Sequence, residues 1–314
     1  MYDLIGDLHG HAEPLRQLLA ALGYRQRHGV WSHPVRKAVF VGDFIDRGPE
    51  QLETLRIARA MLDAGAAHAV MGNHEFNAVA WALPDPQRRN HWLRPHTTRN
   101  RGHHQAFLEQ VGEGSAAHAE WVRWFQRLPL YLDLPGIRVV HACWHAGALA
   151  RLTRKLDAQG RIRPAAWSEI ARPGTPAFID AETVLKGIEL TLPEPFLFVD
   201  GEGNMRRRVR TRWWEPQARS YRDLAMVPRA LREQLPETPA PVAQQPGYPG
   251  DKPVFIGHYW LTGQPAPLTP TVACLDYSVA TRRRSPAAPG KLCAYRWQGE
   301  RRLCTAHFEW VEVG

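Results

Sequence analysis

The sequence contains little of what marks a secreted or membrane-bound protein. Its 314 residues include four cysteines, which are far apart and form no C-x-x-C pair. This spacing argues against a disulfide framework and against a structural zinc ribbon. No apolar run approaches the roughly 20 residues needed to cross a bilayer, and the N-terminus has neither the basic start nor the apolar stretch of a signal peptide. We therefore expect a cytoplasmic protein with no membrane partner.

Recognition motifs for nucleic acids are also missing. There is no zinc finger, RNP-like aromatic motif or long basic tail, so the formal charge of +9 and the pI near 9.7 do not by themselves predict stable nucleic-acid binding. This charge suits an anionic substrate such as a phosphoprotein or a nucleotide. Much of it lies in arginine clusters, each of which could instead be a solvated face: Arg88–Arg89, Arg206–Arg212, Arg282–Arg284 and Arg301–Arg302.

Strand and helix patterns alternate along the first eighty residues. Short apolar runs predict strands at Asp3–Asp7, Lys37–Asp43 and Ala67–Gly72. Apolar residues at helical spacing predict helices at Ala12–Leu22 and Gln51–Ala64. In α/β folds, ligands bind outside the carboxyl ends of the strands, so the segments that follow these strands are the first candidates for a site.

The rest of the chain is less regular. Residues Pro84–Gly102 are rich in proline, arginine, histidine and asparagine and indicate an inserted loop, whose basic residues could overhang a site or simply lie at the surface. A helix is expected at Ala181–Leu190 with Asp180 as its N-cap. Pro236–Pro253 indicates a surface loop, and the last of four strands after it is expected at Leu303–Phe308.

Three short motifs follow the predicted strands in series. They read GDLHG at Gly6–Gly10, GDFIDRG at Gly42–Gly48 and GNHE at Gly72–Glu75. Together they supply carboxylate, imidazole and amide side chains: Asp7, His9, Asp43, Asn73 and His74. These ligand types suit manganese, iron or zinc, whereas calcium favours oxygen ligands alone. Any one motif could be a turn or cap at a strand–helix junction, but three in series predict a metal site.

Two further histidines follow similar strand patterns. His141 follows the apolar run GIRVV, and His258 follows PVFIG. Both are therefore candidate ligands at strand ends. Within the segment HACWHAG, His145 competes with His141 for this role, and we favour His141 because it directly follows the strand.

The three motifs resemble the signature of the calcineurin-like metallophosphoesterases, in particular their phosphoprotein phosphatase branch. The match to GD-x-HG, GD-x-x-DRG and GNHE is complete and in order over residues 1–80. The resemblance implies an α/β fold in which two mixed β-sheets pack as a sandwich between helices. It also implies one catalytic domain over residues 1–314, with insertions at about 84–102 and 150–250.

The resemblance further implies two divalent ions and their ligands. Six metal ligands are expected: Asp7, His9, Asp43, Asn73, His141 and His258. Asp43 would bridge the two ions, since a carboxylate offers two oxygens. His74 would be the general acid, oriented by Asp46, which favours the imidazolium form. Arg47 would clamp the phosphate with its planar fork of donors. Manganese is the metal expected first, with iron, zinc or nickel as alternatives.

The residues that select the substrate are harder to identify from the sequence. Arginines alternate from Arg206 to Arg212 and would share one face of a strand. Members of the family often place a further arginine on the substrate phosphate, and Arg210 or Arg212 is the candidate. The row could equally be a strand edge protected by charge.

The function expected first is phosphoester hydrolysis by a hydroxide that two metal ions activate, in a serine/threonine protein phosphatase. An alternative is a dinucleoside polyphosphate hydrolase of the symmetrical diadenosine tetraphosphatase kind, or another nucleotide phosphoesterase. A deep, basic, aromatic-lined pocket would favour the nucleotide and a shallow groove the protein. A catalytically silent binding scaffold is a third possibility, against which the complete set of ligand and acid residues argues.

Overall fold

The computed structural model describes residues 1–199, 203, 205–241, 248–280 and 289–313. Arg282–Arg284 and part of the loop expected at Pro236–Pro253 lie outside these residues. The described strands are β1 (Tyr2–Ile5), β2 (Arg25–Arg27), β3 (Val30–Ser32), β4 (Lys37–Phe40), β5 (Ala67–Ala69), β6 (Tyr131–Leu134), β7 (Ile137–Val140), β8 (Glu189–Thr191), β9 (Phe198–Val199), β10 (Met205–Arg206), β11 (Arg208–Arg210), β12 (Val254–Ile256), β13 (Val272–Cys274), β14 (Asp276–Tyr277), β15 (Gly290–Trp297) and β16 (Phe308–Val313). The described α-helices are α1 (Ala12–Ala21), α2 (Gln51–Asp63), α3 (Asn73–Ala82), α4 (Thr98–Val111), α5 (Ala116–Phe125), α6 (Ala146–Leu152), α7 (Trp167–Ile170), α8 (Pro176–Lys186), α9 (Tyr221–Leu224) and α10 (Arg229–Arg232).

The larger sheet carries the three motifs at the ends of neighbouring parallel strands. Its described strands follow the order β14–β15–β1–β4–β5, with β16 paired to β15. β1 pairs with β4, and β4 with β5, in parallel, whereas β15 runs antiparallel to β1. Parallel neighbours require crossover connections, which contain α1 and α2 here. The turns after β1, β4 and β5 therefore meet at one edge of the sheet.

A second sheet packs against the first. Its described strands follow the order β13–β12–β7–β6, and β12 runs parallel to both β13 and β7. Side chains alternate across a strand, so Leu4 belongs to the cluster between the sheets and Ile5 to the cluster under the helices. The cluster between the sheets draws on both of them: Leu4, Val39, Ile137, Val139, Phe255, Ala273 and Tyr295. This sandwich of two sheets flanked by helices confirms the expected α/β fold.

Helices cover the outer face of the larger sheet. α1 buries Leu15, Leu18 and Leu19, at the spacing from which the helix is predicted. These side chains cluster with Ile5 and Phe40 from the sheet. Among the helices that the structure describes, none is both long enough and apolar enough to cross a bilayer.

The helix expected at Ala181–Leu190 with Asp180 as its N-cap is wrong at both ends. α8 ends at Lys186, before β8. It begins at Pro176, and its N-cap is Thr175, whose side chain accepts a hydrogen bond from the backbone. Proline at the first helical position favours this start, because its missing N–H is not needed there. Asp180 lies inside the helix, where its carboxylate accepts two hydrogen bonds of 2.9 and 2.6 Å from Arg151.

Two other boundaries differ from expectation. The strand expected at Leu303–Phe308 begins only at Phe308, because residues 305–307 form a 3-10 turn. The loop expected at Pro84–Gly102 ends at Thr97, whose hydroxyl accepts a hydrogen bond of 3.2 Å from the N–H of Asn100. This N-cap starts α4 inside the segment that the sequence assigns to a loop.

A third apolar cluster lies within the segment expected as the second insertion. It includes Leu190, Val209 and Leu224 from β8, β11 and α9. β8 and β11 pair antiparallel. Since Val209 is buried, Arg208 and Arg210 share the opposite face of β11. The strand ends there, so the expected row from Arg206 to Arg212 is not continuous.

Candidate active site

Left-handed backbone is concentrated in the turns that follow β1, β4 and β12. Nine described residues other than glycine have a positive φ. Six of them lie in these turns: His9, Asp43, Asp46, Arg47, His258 and Trp260. Each such residue costs on the order of 1–3 kcal/mol and persists only where the surroundings hold it, as happens at functional sites. Backbone geometry thus marks the strand ends that carry the first two motifs and His258.

Two glycines in the turns after β5 and β12 sit directly against carboxylates. A Cβ on Gly72 would lie 2.2 Å from Oδ1 of Asp43, and one on Gly257 would lie 2.0 Å from Oδ1 of Asp7. No side chain fits at such distances. The glycines that precede Asn73 and His258 therefore allow the backbone to pack onto the carboxylates.

The converging side chains form two groups of possible metal ligands that share one carboxylate. His9, Asp43 and His74 offer ligand atoms within 4.8 Å of one another, and so do Asp43, His141 and His258. Asp43 belongs to both groups, as a bridging ligand must. Asp7 adjoins them, since its Oδ2 accepts a hydrogen bond of 3.0 Å from the N–H of His258.

Two of these histidines have their rings fixed by backbone carbonyls. His9 Nδ1 lies 2.9 Å from the oxygen of Ile45, and His141 Nδ1 lies 2.7 Å from the oxygen of Val41. A ring N–H that donates to a carbonyl leaves the lone pair on Nε2, which is how metal-binding histidines are commonly oriented. His9 Nε2 is buried and has no hydrogen-bond partner among the described residues.

The electrostatics of this group fit a divalent cation. The pKa of Asp7 is raised well above its usual range by burial and by the nearby Asp276 and Asp43. Burial also lowers the pKa of His9 and of His258 well below the usual range, so both rings favour the neutral form that binds metals. Oδ1 of Asp7 has no hydrogen-bond partner among the described residues. Clustered carboxylates with neutral imidazoles are stabilised when a cation lies between them.

His141 and Asn73 complete the second group. His141 Nε2 lies 3.1 Å from Oδ1 of Asn73 and 3.3 Å from Oδ2 of Asp43. Burial lowers the pKa of His141, but the facing Asp43 outweighs it and raises the pKa to about 10. Three lone-pair-bearing atoms thus face one another, and their mutual repulsion is relieved when a proton or a cation lies between them. His145 lies elsewhere, where its Nδ1 accepts the N–H of Ala148 at the start of α6.

His74 belongs to a second network, centred on Asp46. His74 Nδ1 lies 2.6 Å from Oδ2 of Asp46, and His104 Nδ1 lies 2.8 Å from Oδ1 of the same carboxylate. Burial alone would raise the pKa of Asp46, but His104 and His74 together hold it well below its usual range. An ionised Asp46 therefore accepts from two imidazoles, and it fixes the His74 ring with Nε2 pointing away from the pair.

Glu75, the last residue of the GNHE motif, ties the turns together. Its buried carboxylate accepts hydrogen bonds from the backbone N–H groups of Asp43, Phe44 and Gly72, at 2.9, 2.8 and 3.0 Å. Three backbone donors from two turns thus share one acceptor, which sets the position of Asp43 relative to α3. The sequence gives Glu75 no role beyond its place in the motif.

A cavity of about 1170 Å³, the first cavity, opens over these residues. Five cationic side chains line it: Arg47, Arg94, Arg99, Lys186 and Arg210. The guanidinium of Arg47 lies 4.0 Å from the ring centre of Trp260. Arg210 Nη1 donates a hydrogen bond of 2.7 Å to the carbonyl of His258. A cavity with these cations suits an anion with several charges.

Arg212 does not line this cavity. It lies beyond the end of β11, where its guanidinium donates to the carbonyl of Asp223 and lies 3.9 Å from Oε1 of Glu215. The structure thus brings Arg210 to the site and leaves Arg212 outside it.

The sequence does not single out two residues that line the first cavity, Lys186 and Trp260. Arg94 and His104 belong to the basic residues after the GNHE helix that are predicted to overhang a site, and both of them line the first cavity. Lys186 ends α8, and Trp260 follows His258 by two residues. No short motif marks them, because they reach the site only through tertiary packing.

Comparisons with known proteins agree with this geometry. Residues 2–179 match the calcineurin-like phosphoesterase family. The asymmetrical bis(5'-nucleosyl)-tetraphosphatase PrpE of Oceanobacillus iheyensis is 32% identical over 156 residues, which cover 49% of this chain and 59% of the relative. The PrpE of Bacillus subtilis is 31% identical over 160 residues, covering 49% and 62%. This chain thus spans less than two thirds of the length of either relative.

One solved structure to which this chain is similar is that of a serine/threonine phosphatase from Saccharomyces cerevisiae. It is 13% identical to this chain, with a TM-score of 0.47, and the match covers 100% of this chain and 80% of that one.

Proposed function

Since the chain belongs to the calcineurin-like phosphoesterase family and is therefore a hydrolase, we propose that it hydrolyses a dinucleoside polyphosphate of the diadenosine tetraphosphate kind. The observation that carries this proposal is the first cavity. Its volume of about 1170 Å³ accommodates a ligand larger than a single phosphate, and its five cations suit a chain of several phosphates. The sequence alone ranks a protein phosphatase first, and the names of the matched relatives favour the nucleotide alternative.

We assign one divalent ion to each of two ligand sets that share Asp43. Asp7, His9 and Asp43 would hold one ion. Asp43 with three further residues would hold the other: Asn73, His141 and His258. Such ions lower the pKa of water and offset charge on phosphoryl oxygens. The buried atoms of Asp7 and His9 that lack a hydrogen-bond partner among the described residues support this assignment.

His74 is the proton donor in this proposal. Its Nε2 is 3.9 Å from Oδ2 of Asp43, beside the ligand groups, while its Nδ1 is held by Asp46. With Nδ1 held by Asp46, Nε2 is the atom that would donate a proton to the departing phosphate oxygen.

Arg47 and Arg210 would hold the phosphates. Both line the first cavity, and both are fixed from behind, Arg47 by the ring of Trp260 and Arg210 by the carbonyl of His258. A guanidinium presents a planar fork that matches phosphate oxygens. Fixing it beforehand lowers the entropy lost when substrate binds.

The test is a comparison of substrates on metal-reconstituted enzyme. Diadenosine tetraphosphate and a panel of phosphopeptides are supplied at equal metal concentration, with the wild type and His74→Asn assayed side by side. We expect the dinucleotide to be cleaved with the higher kcat/KM, and His74→Asn to lower kcat by about 10²–10⁴-fold. Cleavage of phosphopeptides alone would restore the protein phosphatase hypothesis. Equal turnover by both proteins would remove His74 from the mechanism.

A further inference from the structure

A second cavity of about 660 Å³ adjoins the first. Lys186, the last residue of α8, lines both cavities. The two spaces therefore border the same lysine side chain, and a ligand that occupied both would contact it. The second cavity lies between α8 and β11, since residues of both line it.

Strand β11 also connects the two cavities. Arg210 lines the first and Arg208 lines the second. Because they share a face of the strand, with Val209 buried on the other, they lie about 7 Å apart along it. Arg208 pairs with Glu189 at 3.0 Å on the surface, and such exposed pairs contribute little, so a phosphate could replace the carboxylate.

The second cavity differs from the first in charge. Its cations are matched by carboxylates: Arg151 pairs with Asp180, Lys186 with Glu182 and Arg208 with Glu189.

The rest of its lining is largely uncharged. Phe178 and Ile179 line it, and 58% of the surface of Ile179 is exposed. The hydroxyl-bearing Thr183 also lines it. Balanced charge with apolar and hydrogen-bonding groups suits a neutral base and ribose better than it suits phosphate.

From these contrasts we propose that the second cavity binds one nucleoside of the dinucleoside polyphosphate. The polyphosphate then crosses Lys186 into the first cavity, with Arg208 on the phosphate next to that nucleoside and Arg210 on the next along. This subsite rests on the proposed function, because it assumes a substrate with a nucleoside beyond the polyphosphate. It explains why the alternating arginines of β11 face two different cavities.

The test distinguishes a loss of nucleoside binding from a loss of phosphate hydrolysis. Thr183→Trp fills the second cavity, and Arg208→Gln removes its phosphate contact. Arg207→Gln is the matched control, because Arg207 pairs with Glu194 and lines neither cavity. Each protein is assayed on diadenosine tetraphosphate and on p-nitrophenyl phosphate, which has no nucleoside. Thermal unfolding confirms that all variants are folded.

We expect Thr183→Trp and Arg208→Gln to raise KM for the dinucleotide by about tenfold, the effect of one charge-assisted contact or one blocked subsite. Turnover of p-nitrophenyl phosphate should change by less than about twofold in all three variants. Unchanged dinucleotide KM in both variants, or equal loss on both substrates, would overturn the subsite and leave the proposed function standing. A wild type that cleaves p-nitrophenyl phosphate but not the dinucleotide would overturn both.

Discussion

The two walls of the first cavity are built in different ways. The turn wall consists of the turns after β4, β5 and β12, which line the cavity, and of the turns after β1 and β7, whose Asp7 and His141 contact His258 and Asp43 of the lining. The helix wall consists of the cavity-facing part of α4 with Arg94, Lys186 and Arg210. Its side chains come from α4, from the segment before it, from α8 and from a two-stranded sheet, outside the central sandwich.

This difference suggests a division of labour. Groups that must be placed to within a fraction of an ångström lie on the turn wall, at the end of rigid strands. Groups that recognise the substrate lie on the helix wall, where the chain can vary without disturbing the sheets. We therefore expect changes in the turn wall to affect kcat and metal content, and changes in the helix wall to affect KM.

The largest effect is expected for Asp43→Asn on the turn wall. Asp43 belongs to both ligand groups, so an amide in its place weakens the binding of both ions. We expect kcat/KM to fall by more than about 10⁴-fold, beyond the loss of a proton donor alone. Elemental analysis of the purified protein should show less than half the wild-type metal content. Full metal content with lost activity would contradict the bridging role.

A large loss of stability is expected for Glu75→Ala, also on the turn wall. The substitution leaves three buried N–H groups without an acceptor, and each costs about 1–3 kcal/mol. We expect the free energy of unfolding, measured by urea denaturation of the metal-free protein, to fall by about 3 kcal/mol or more. The control Glu109→Ala, an exposed carboxylate of α4, should change it by less than about 0.5 kcal/mol. Similar values for both variants would remove Glu75 from its structural role.

The turn wall could be predicted from the sequence far better than the helix wall. Each motif is a local feature, in which a strand ends in a glycine and a ligand such as Asp7, and parallel strands bring such ends together. His104 contacts Asp46 across 58 residues of chain, and nothing in the local sequence encodes that contact. The choice between Arg210 and Arg212 depends on where β11 ends. The contact of His104 with Asp46 and the position of the end of β11 both depend on tertiary packing.

His104 links the two walls, and its replacement is expected to have an intermediate effect. His104→Phe removes one of the two donors to Asp46 but should leave the metal ligands in place. We expect kcat for the dinucleotide to fall by about 10–100-fold, as is usual when the partner of a catalytic group is lost, with KM unchanged. His104→Gln should recover part of the activity, since its amide can donate to the carboxylate.

The leaving group distinguishes this role from a general loss of packing. A good leaving group such as p-nitrophenolate needs little protonation, so the effect of His104→Phe should shrink on p-nitrophenyl phosphate. The control is His118→Phe, another buried histidine in the adjacent α5. Equal losses on both substrates, or equal losses in the two variants, would show that His104 only supports the fold.

The smallest effect is expected on the helix wall, where Arg210→Ala is compared with Arg212→Ala. Arg210 lines the first cavity and is anchored on the carbonyl of His258, whereas Arg212 is bonded to Asp223 outside it. Loss of one charge-assisted phosphate contact corresponds to about a tenfold rise in KM, so Arg210→Ala should raise KM for the dinucleotide by about that factor with kcat nearly unchanged. Arg212→Ala should leave KM within about twofold, although its partly buried guanidinium makes some loss of thermal stability expected.

Steady-state kinetics with both variants on one substrate decides the matter. A rise in KM for Arg212→Ala alone would mean that β11 extends differently when substrate is bound, and the alternating arginines would then have to be reassigned.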